Sequence, residues 1–326
     1  MKKLEKDFLL AWLMGMLLPA LILWIWVGFD RLGPAEEEEN MPTAITFSTL
    51  RTQMMIPVMD GNGQVTAMEL ETYLCGVVLA EMPAEFEMEA LKAQSVVART
   101  YALRRLEQGT KHPQGAVCME ASCCQGYIVA EDYMDLGGES SGVSKVTRAV
   151  MATAGEVLTY QGELIDATYF SCSGGTTEDA LAVWGNDVPY LKSTVSPGEE
   201  RSQFYSDTVS FTPGQLEESL GISLSGEPEA WFSILAYTNG GGVDRIDICG
   251  TEFSGVEVRK RLALRSTDFT VIAAENEVRF ETRGFGHRVG MSQYGADAMA
   301  VEGSTYDRIL SHYYKGVELG QYDDGN

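Results

Sequence analysis

Apolar and polar positions alternate from Ala44 onward, most clearly over Met54 to Met59 and Gln64 to Met68, which flank Asp60-Gly61-Asn62-Gly63. Alternation on both sides of such a turn predicts a β-hairpin. The period then lengthens. Leu74 to Tyr101 reads L-C-G-V-V-L-A-E-M-P-A-E-F-E-M-E-A-L-K-A-Q-S-V-V-A-R-T-Y, two helical runs around Pro83. A residue before proline is driven out of the α region, so the first helix should end near Glu81. The second is expected over roughly 87–106, with Leu91, Val97, Ala98 and Tyr101 on a core face. Gly109 to Tyr127 has no periodicity and reads as an irregular loop. Val143 to Tyr160 predicts a short helix running into a strand, and Ala167 to Leu191 a glycine-rich strand end and loop. Strands are expected at 204–211, 232–239 and 243–249, a short helix at 256–264, a hairpin of 269–274 and 277–282, and a last helix at 304–314. There is no internal repeat and no regular β-α alternation. The fold class expected is α+β: a two-helix element, then a β-rich remainder with a possible subdomain at about 200–283.

Upstream the pattern is different. Phe8 to Phe29 is an uncharged run of mostly Leu, Trp, Met and Ile, long enough to cross a bilayer. Lys2, Lys3 and Lys6 precede it, and Arg31 alone follows before the acids Glu36 to Glu39. The positive-inside rule then predicts a single-pass protein with its N-terminus in the cytoplasm. No A-x-A-like cleavage site follows, which favours an anchor over a signal peptide. The expected organisation is a cytoplasmic stub (1–7), a transmembrane helix (8–29), an acidic linker (30–41) and an ectodomain (42–326) lying outside.

Composition removes some functions. The 326 residues carry a net charge of -23, which argues against nucleic-acid binding, since that demands a basic face. Cys75, Cys172 and Cys249 are scattered in apolar segments and read as buried thiols. Cys118, Cys123 and Cys124 instead cluster near His112. The spacing His112-x5-Cys118-x5-Cys124 offers three ligands of the kind zinc accepts. A Cys118–Cys124 disulfide with Cys123 free is the competing reading.

Glu81 is the strongest catalytic candidate. It falls at the negative end of a helix dipole, backed by Val77, Val78 and Leu79, and both settings favour the protonated acid. A carboxyl kept neutral near pH 7 can protonate a leaving oxygen. Glu85, Glu87 and Glu89 open the next helix, where carboxylates are favoured as anions and suit capping.

Several ordered blocks together resemble stage II sporulation protein D. They are L-E-T-Y-L-C-G-V-V-L-A-E-M-P-A-E-F (Leu70 to Phe86), A-L-K-A-Q-S-V-V-A-R-T-Y-A (Ala90 to Ala102), S-G-G-T-T-E (Ser173 to Glu178) and V-W-G (Val183 to Gly185). Then come S-G-V-E-V-R-K-R-L-A-L-R-S-T-D-F (Ser254 to Phe269), G-F-G-H-R-V-G-M-S-Q-Y-G-A (Gly284 to Ala296) and I-L-S-H-Y-Y-K-G (Ile309 to Gly316). The resemblance implies a membrane-anchored lytic transglycosylase of sporulation engulfment, placed in the mother-cell membrane facing the forespore. It implies cleavage of MurNAc–GlcNAc bonds in peptidoglycan strands stripped of stem peptides, with Glu81 in the family's A-E-M-P motif as the essential glutamate. Glu81 would act as acid, then as base toward the muramic acid C6 hydroxyl, leaving a 1,6-anhydro end without consuming water. The resemblance also implies a zinc site at His112, Cys118 and Cys124. Its expected partners are an amidase-endopeptidase and a multi-spanning membrane scaffold. Amidase-enhancer proteins share the domain, so a non-catalytic wall-binding role is the alternative.

Further candidates for contact with the glycan are Lys92 and Arg99, seven residues apart on one helix face, with solvated surface charge as the competing reading. Tyr169, Ser171 and Ser173, with Gly174-Gly175, are further candidates for lining the cleft, and Trp184 would stack on a sugar or pack. His287, Ser292, Gln293 and Tyr294 supply polar groups in a glycine-rich block where backbone can approach a ring closely. A tight turn around a buried imidazole is the other reading of His287. Arg288 stands where the family more often has glycine.

Overall fold

The computed structural model of the protein describes residues 54–323. The hairpin forms as the alternation predicts. Strand β1 (Met55–Met59) pairs antiparallel with β2 (Val65–Glu69), and Asp60 Oδ1 accepts from the Asn62 and Gln64 N–H groups at 2.9 and 2.8 Å. Helix α1 (Leu70–Glu81) follows at once, its N-cap Glu69 accepting from the Thr72 N–H. It stops at the pre-proline position: Met82 is extended, with φ -134 and ψ 135. Helix α2 (Met88–Gln108) runs 21 residues and ends at Gly109, φ 81.

Helix α2 is the axle of the first core. Leu91, Val96, Val97 and Leu103 are sealed on it, and so are Ser95, Arg99 and Thr100. A helix enclosed on all sides must satisfy its polar groups internally. Ser95 and Thr100 donate back to the Leu91 and Val96 carbonyls at 2.7 and 2.8 Å. Around it lie β3 (Val117–Cys118), α3 (Ala130–Asp135), α4 (Ser140–Ala152), β4 (Glu156–Tyr160), β5 (Glu163–Leu164), β6 (Tyr169–Phe170) and α5 (Ala180–Trp184). Strand β3 lies inside the stretch expected to be irregular and adds in parallel to β1, with Cys118 opposite Met59.

A second core is built from β7 (Ser206–Phe211), α6 (Pro213–Leu220), β8 (Phe232–Tyr237), β9 (Val243–Ile248), β10 (Thr251–Ser254), α7 (Gly255–Arg261), β11 (Asp268–Ala273) and β12 (Val278–Arg283). Its strands form two antiparallel sheets, β10-β9-β8 and β11-β12-β7. Phe280 meets Phe211, Phe232 and Phe269 edge-on, with centroids 5.7–5.9 Å apart. The chain then returns to the first core. Strand β13 (Met291–Ser292) pairs parallel with β6; helices α8 (Gln293–Val301) and α9 (Tyr306–Tyr313) follow; β14 (Glu318–Gln321) pairs antiparallel with β4.

The described residues are α+β, as expected. The transmembrane expectation needs correcting. Residues 8–29 and the 30–41 linker lie outside the described residues, and among the described residues no helix is long and apolar enough to cross a membrane. Helix α2 has the length, but carries Lys92, Arg99, Arg104 and Arg105. The single-pass placement is therefore withdrawn. The pattern also does not predict α3, α5, α6 or α8, all nine residues or shorter. Helix α6 does carry a local signal, a capping box of Thr212 and Gln215 with Pro213 at its first turn.

Candidate active site

Glu81 ends α1 with its side chain half-buried, and its position depends on a loop from across the sequence. Gly76, in the middle of α1, leaves room for a ring: a Cβ there would meet Tyr127 Cε2 at 2.3 Å. Tyr127 therefore lies flat against the helix, stacked on Tyr73 at 5.8 Å, and the Ile128 N–H donates to the Gly76 carbonyl. This docking delivers the preceding residue, Gly126, whose N–H donates to Glu81 Oε1 at 2.5 Å. Gln293 Nε2 donates to the Glu81 backbone carbonyl at 2.8 Å. Burial pushes the Glu81 carboxyl above its ordinary value, opposed by the Gly126 N–H and the Tyr169 hydroxyl.

Glu81 opens onto a cleft of about 700 Å³, lined also by Tyr101, Arg105, Cys123, Cys124, Tyr169, Trp184, Phe285 and His287. That volume suits a ligand rather than a few waters. Trp184 and Phe285 are 43% and 39% exposed, large apolar faces open to an occupant. Among the described residues lining the cleft, Glu81 is the only carboxylate and Arg105 the only arginine or lysine. His287 packs against Phe170 and Trp184, and its Nδ1 accepts from the Val289 N–H at 3.1 Å. Burial, with Arg259 adding to it, pushes its pKa down to about 4, so the ring is neutral near pH 7.

Arg288 accounts for the turn that holds His287. Its φ of 64 is left-handed, a region that glycine enters most readily. The strain is offset by a buried guanidinium that donates to the Ser173, Thr176 and Gly240 carbonyls at 2.7, 2.9 and 2.8 Å. Glu178 and Asp268 face it at 3.4 and 3.7 Å. The residue ties together three segments far apart in sequence.

Beside the cleft, His112, Cys118, Cys123 and Cys124 converge, their donor atoms all within 4.8 Å of one another. Strand pairing fixes Cys118, and a turn in which the Cys123 and Cys124 N–H groups donate to the Glu120 carbonyl brings the other two thiols back. His112 Nε2 is 3.3 Å from Cys123 Sγ and 3.7 Å from Cys124 Sγ. Tetrahedral zinc, with bonds of about 2.0–2.3 Å, needs donors about 3.5–3.8 Å apart, and these donors, all within 4.8 Å of one another, stand within about 1 Å of that spacing. The three-ligand expectation is thereby widened, since Cys123 belongs to the cluster. The six cysteines are all free, and the alternative Cys118–Cys124 disulfide is not formed.

Of the expected substrate contacts, Tyr169, Ser171, Trp184 and His287 line the cleft. The others do not, and each has a protein partner instead. Arg99 is fully buried, held by both Glu71 carboxylate oxygens at 3.0 and 2.6 Å. Lys92 pairs with Glu89 at 2.6 Å. Ser173 and Ser292 donate to the buried Glu199. Gln293 serves the end of α1, and Tyr294 packs edge-on against Phe86 at 4.9 Å. Tyr101, Arg105 and Phe285 line the cleft without having been singled out by sequence. The signal that was available is Tyr101 with Arg105 one helical turn later, an i,i+4 ring–guanidinium pair.

The family model SpoIID, described as Stage II sporulation protein, matches residues 59–160, which hold both helices, the cysteine loop and Glu81. The chain is 36% identical to stage II sporulation protein D of Bacillus subtilis (strain 168) over 319 residues, covering 94% of this chain and 93% of that protein. It is 38% identical to stage II sporulation protein D of Bacillus amyloliquefaciens over 266 residues, 80% and 77% of the two chains. An amidase enhancer of Bacillus subtilis (strain 168) is 29% identical over 308 residues, 76% of this chain and 40% of that one. The chain therefore belongs to the stage II sporulation protein D family of sporulation proteins.

Proposed function

We propose that this protein is a lytic transglycosylase that cuts MurNAc–GlcNAc bonds in peptidoglycan strands without stem peptides. The observation that carries the reading is a single carboxylate, Glu81, opening onto a cleft with no second acid among its lining residues. Hydrolytic glycosidases need two carboxyl groups, one for the leaving oxygen and one for water or the anomeric carbon. A reaction with an internal nucleophile needs one. Glu81, whose pKa burial raises, gives its proton to the glycosidic oxygen as the bond from that oxygen to C1 breaks; as carboxylate it then takes the proton of the C6 hydroxyl, which closes onto C1. The Gly126 N–H steadies the carboxylate between the two steps, and the C6 hydroxyl attacks from within the same sugar. Exposed Trp184 and Phe285 supply apolar faces for pyranose rings.

His112, Cys118, Cys123 and Cys124 would hold a zinc ion. When bound, it would cross-link the loop that carries Gly126, and four protein donors would leave it no open position for a water. This argues against a zinc hydrolase. An amidase that removes stem peptides would supply the substrate. The alternative, a wall-binding activator of an amidase, is favoured by the similarity to the amidase enhancer.

Mass spectrometry of peptide-free glycan strands incubated with the full chain separates these readings. Products ending in 1,6-anhydro sugars, absent with Glu81→Gln, are expected. Reducing-end products, or binding without any product, would overturn the proposal.

A further inference from the structure

Arg105 carries a charge that the proposed proton transfers do not use. It stands on the last turn of α2 as the one arginine or lysine lining the cleft, in a chain of net charge -23. Its guanidinium lies over the Tyr101 ring at 4.9 Å, which fixes its direction. Its carboxylate partner is shared. Asp166 Oδ1 is 3.7 Å from Arg105 Nη2 and also 3.7 Å from Arg104 Nε, so one carboxylate faces two guanidiniums. Arg104 has a further acceptor in the Leu164 carbonyl. One carboxylate cannot neutralise both guanidiniums, and Arg105 lines the same cleft as Glu81, the only acid among the described residues that line it.

Glycosidic, hydroxyl and acetamido groups are neutral and do not call for a cation. The anion of a bare glycan strand is the lactyl carboxylate of muramic acid. In a strand that still bears its peptide, the same carbon is an amide and the charge is gone. A guanidinium fork matches a carboxylate in both shape and charge, and loses most of that advantage against an amide. We propose that Arg105 binds the free lactyl carboxylate of a muramic acid beside the cleaved bond and so selects strands without stem peptides. This rests on the transglycosylase reading of the cleft.

The test uses the full chain and two preparations of the same peptide-free strands. One keeps its lactyl carboxylates; in the other they are coupled to methylamine and are uncharged. Wild type is expected to show a KM about tenfold lower on the acid strands, the scale of a charge-assisted hydrogen bond. Arg105→Ala should raise KM on those strands about tenfold with kcat little changed, and leave the methylamide strands unaffected. Arg105→Lys should recover part of the loss. Equal KM values for wild type on both preparations, or an equal rise on both with Arg105→Ala, would overturn the proposal. Co-sedimentation of the Glu81→Gln chain with each preparation reads recognition apart from chemistry. A preference for acid strands that Arg105→Ala removes in that background supports the role of Arg105 even if wild type cuts neither preparation. Cleavage without any such preference overturns Arg105 alone.

Discussion

Glu81 and Glu199 are both shielded from water, and the protein treats them in opposite ways. Glu199 is 1% exposed and saturated with donors. Its Oε2 accepts from the Ser173, Gly174 and Gly175 N–H groups at 2.9, 2.7 and 3.1 Å and from the Ser173 hydroxyl at 2.7 Å. Its Oε1 accepts from the Ser196 hydroxyl at 2.8 Å and from the Ser292 hydroxyl. Three successive backbone N–H groups form a nest for an anion. Glu81 has one backbone donor and a cleft in front of it, and burial prevails. A saturated carboxylate holds a fold together, whereas one left short of donors has its pKa raised, which is what the proposed acid role needs.

Two substitutions should separate these roles. Glu81→Gln should lower strand cleavage on the order of 10³-fold, the scale of a lost general acid, with Tm not reduced. Glu199→Gln turns an amide NH₂ toward a cluster of donors. It should destabilise the chain by roughly 3 kcal/mol, a fall in Tm of about 6–12 °C at this size. Paired activity and thermal-melt measurements check both. If Glu199→Gln stays stable and loses activity like Glu81→Gln, the contrast between the two acids is wrong.

The metal cluster sharpens the Glu81 half of the contrast, because its loop carries Gly126. With zinc held in the cluster as proposed, its chelation should lower cleavage tenfold or more and lower Tm, since outer supports of a site typically contribute that much. Cobalt in place of zinc reports the ligand set directly. Cys123→Ser should remove about a third of the thiolate-to-cobalt absorbance, one sulfur of three. Unchanged absorbance would take Cys123 out of the set.

How far the sequence reached follows from the range of each interaction. The end of α1 at Glu81 was legible because the pre-proline restriction is local. So were the hairpin and α2, whose periods are long enough to read. The surroundings of Glu81 were not, because Gly126, Tyr169 and Arg105 arrive through Tyr127 docking on Gly76, β6–β13 pairing and the far end of α2. Spacing put Lys92 and Arg99 on one face, but cannot say whether that face meets solvent, sugar or core. For Arg99 it met Glu71. Ser292 and Gln293 have the hydrogen-bonding groups expected of sugar contacts, and spend them on Glu199 and the end of α1.

Tyr169 offers a finer adjustment of the acid. Its hydroxyl favours the Glu81 carboxylate, so Tyr169→Phe should raise the Glu81 pKa further. Cleavage requires the protonated acid and falls as pH rises through that pKa. The alkaline limb of kcat/KM should therefore move to higher pH. A limb that moves to lower pH, or stays in place, would mean that Glu81 does not set it.

The smallest expected effect is a stability difference that changes with pH. The folded-state pKa of Glu81 lies above the unfolded one, because burial penalises the charge. The protonated side chain therefore contributes stability that is fully present below the unfolded pKa and is lost as pH rises through the folded pKa. Glutamine at 81 has no charge to bury, so its contribution does not change across that window. The Tm of Glu81→Gln minus that of wild type should thus grow from near zero around pH 4 to a few °C above the folded pKa, about 2–4 °C for each kcal/mol. Melts of both proteins across that range read the difference directly. A gap that shrinks as pH rises would mean the Glu81 carboxylate is better accommodated in the fold than in water, which a proton donor is not.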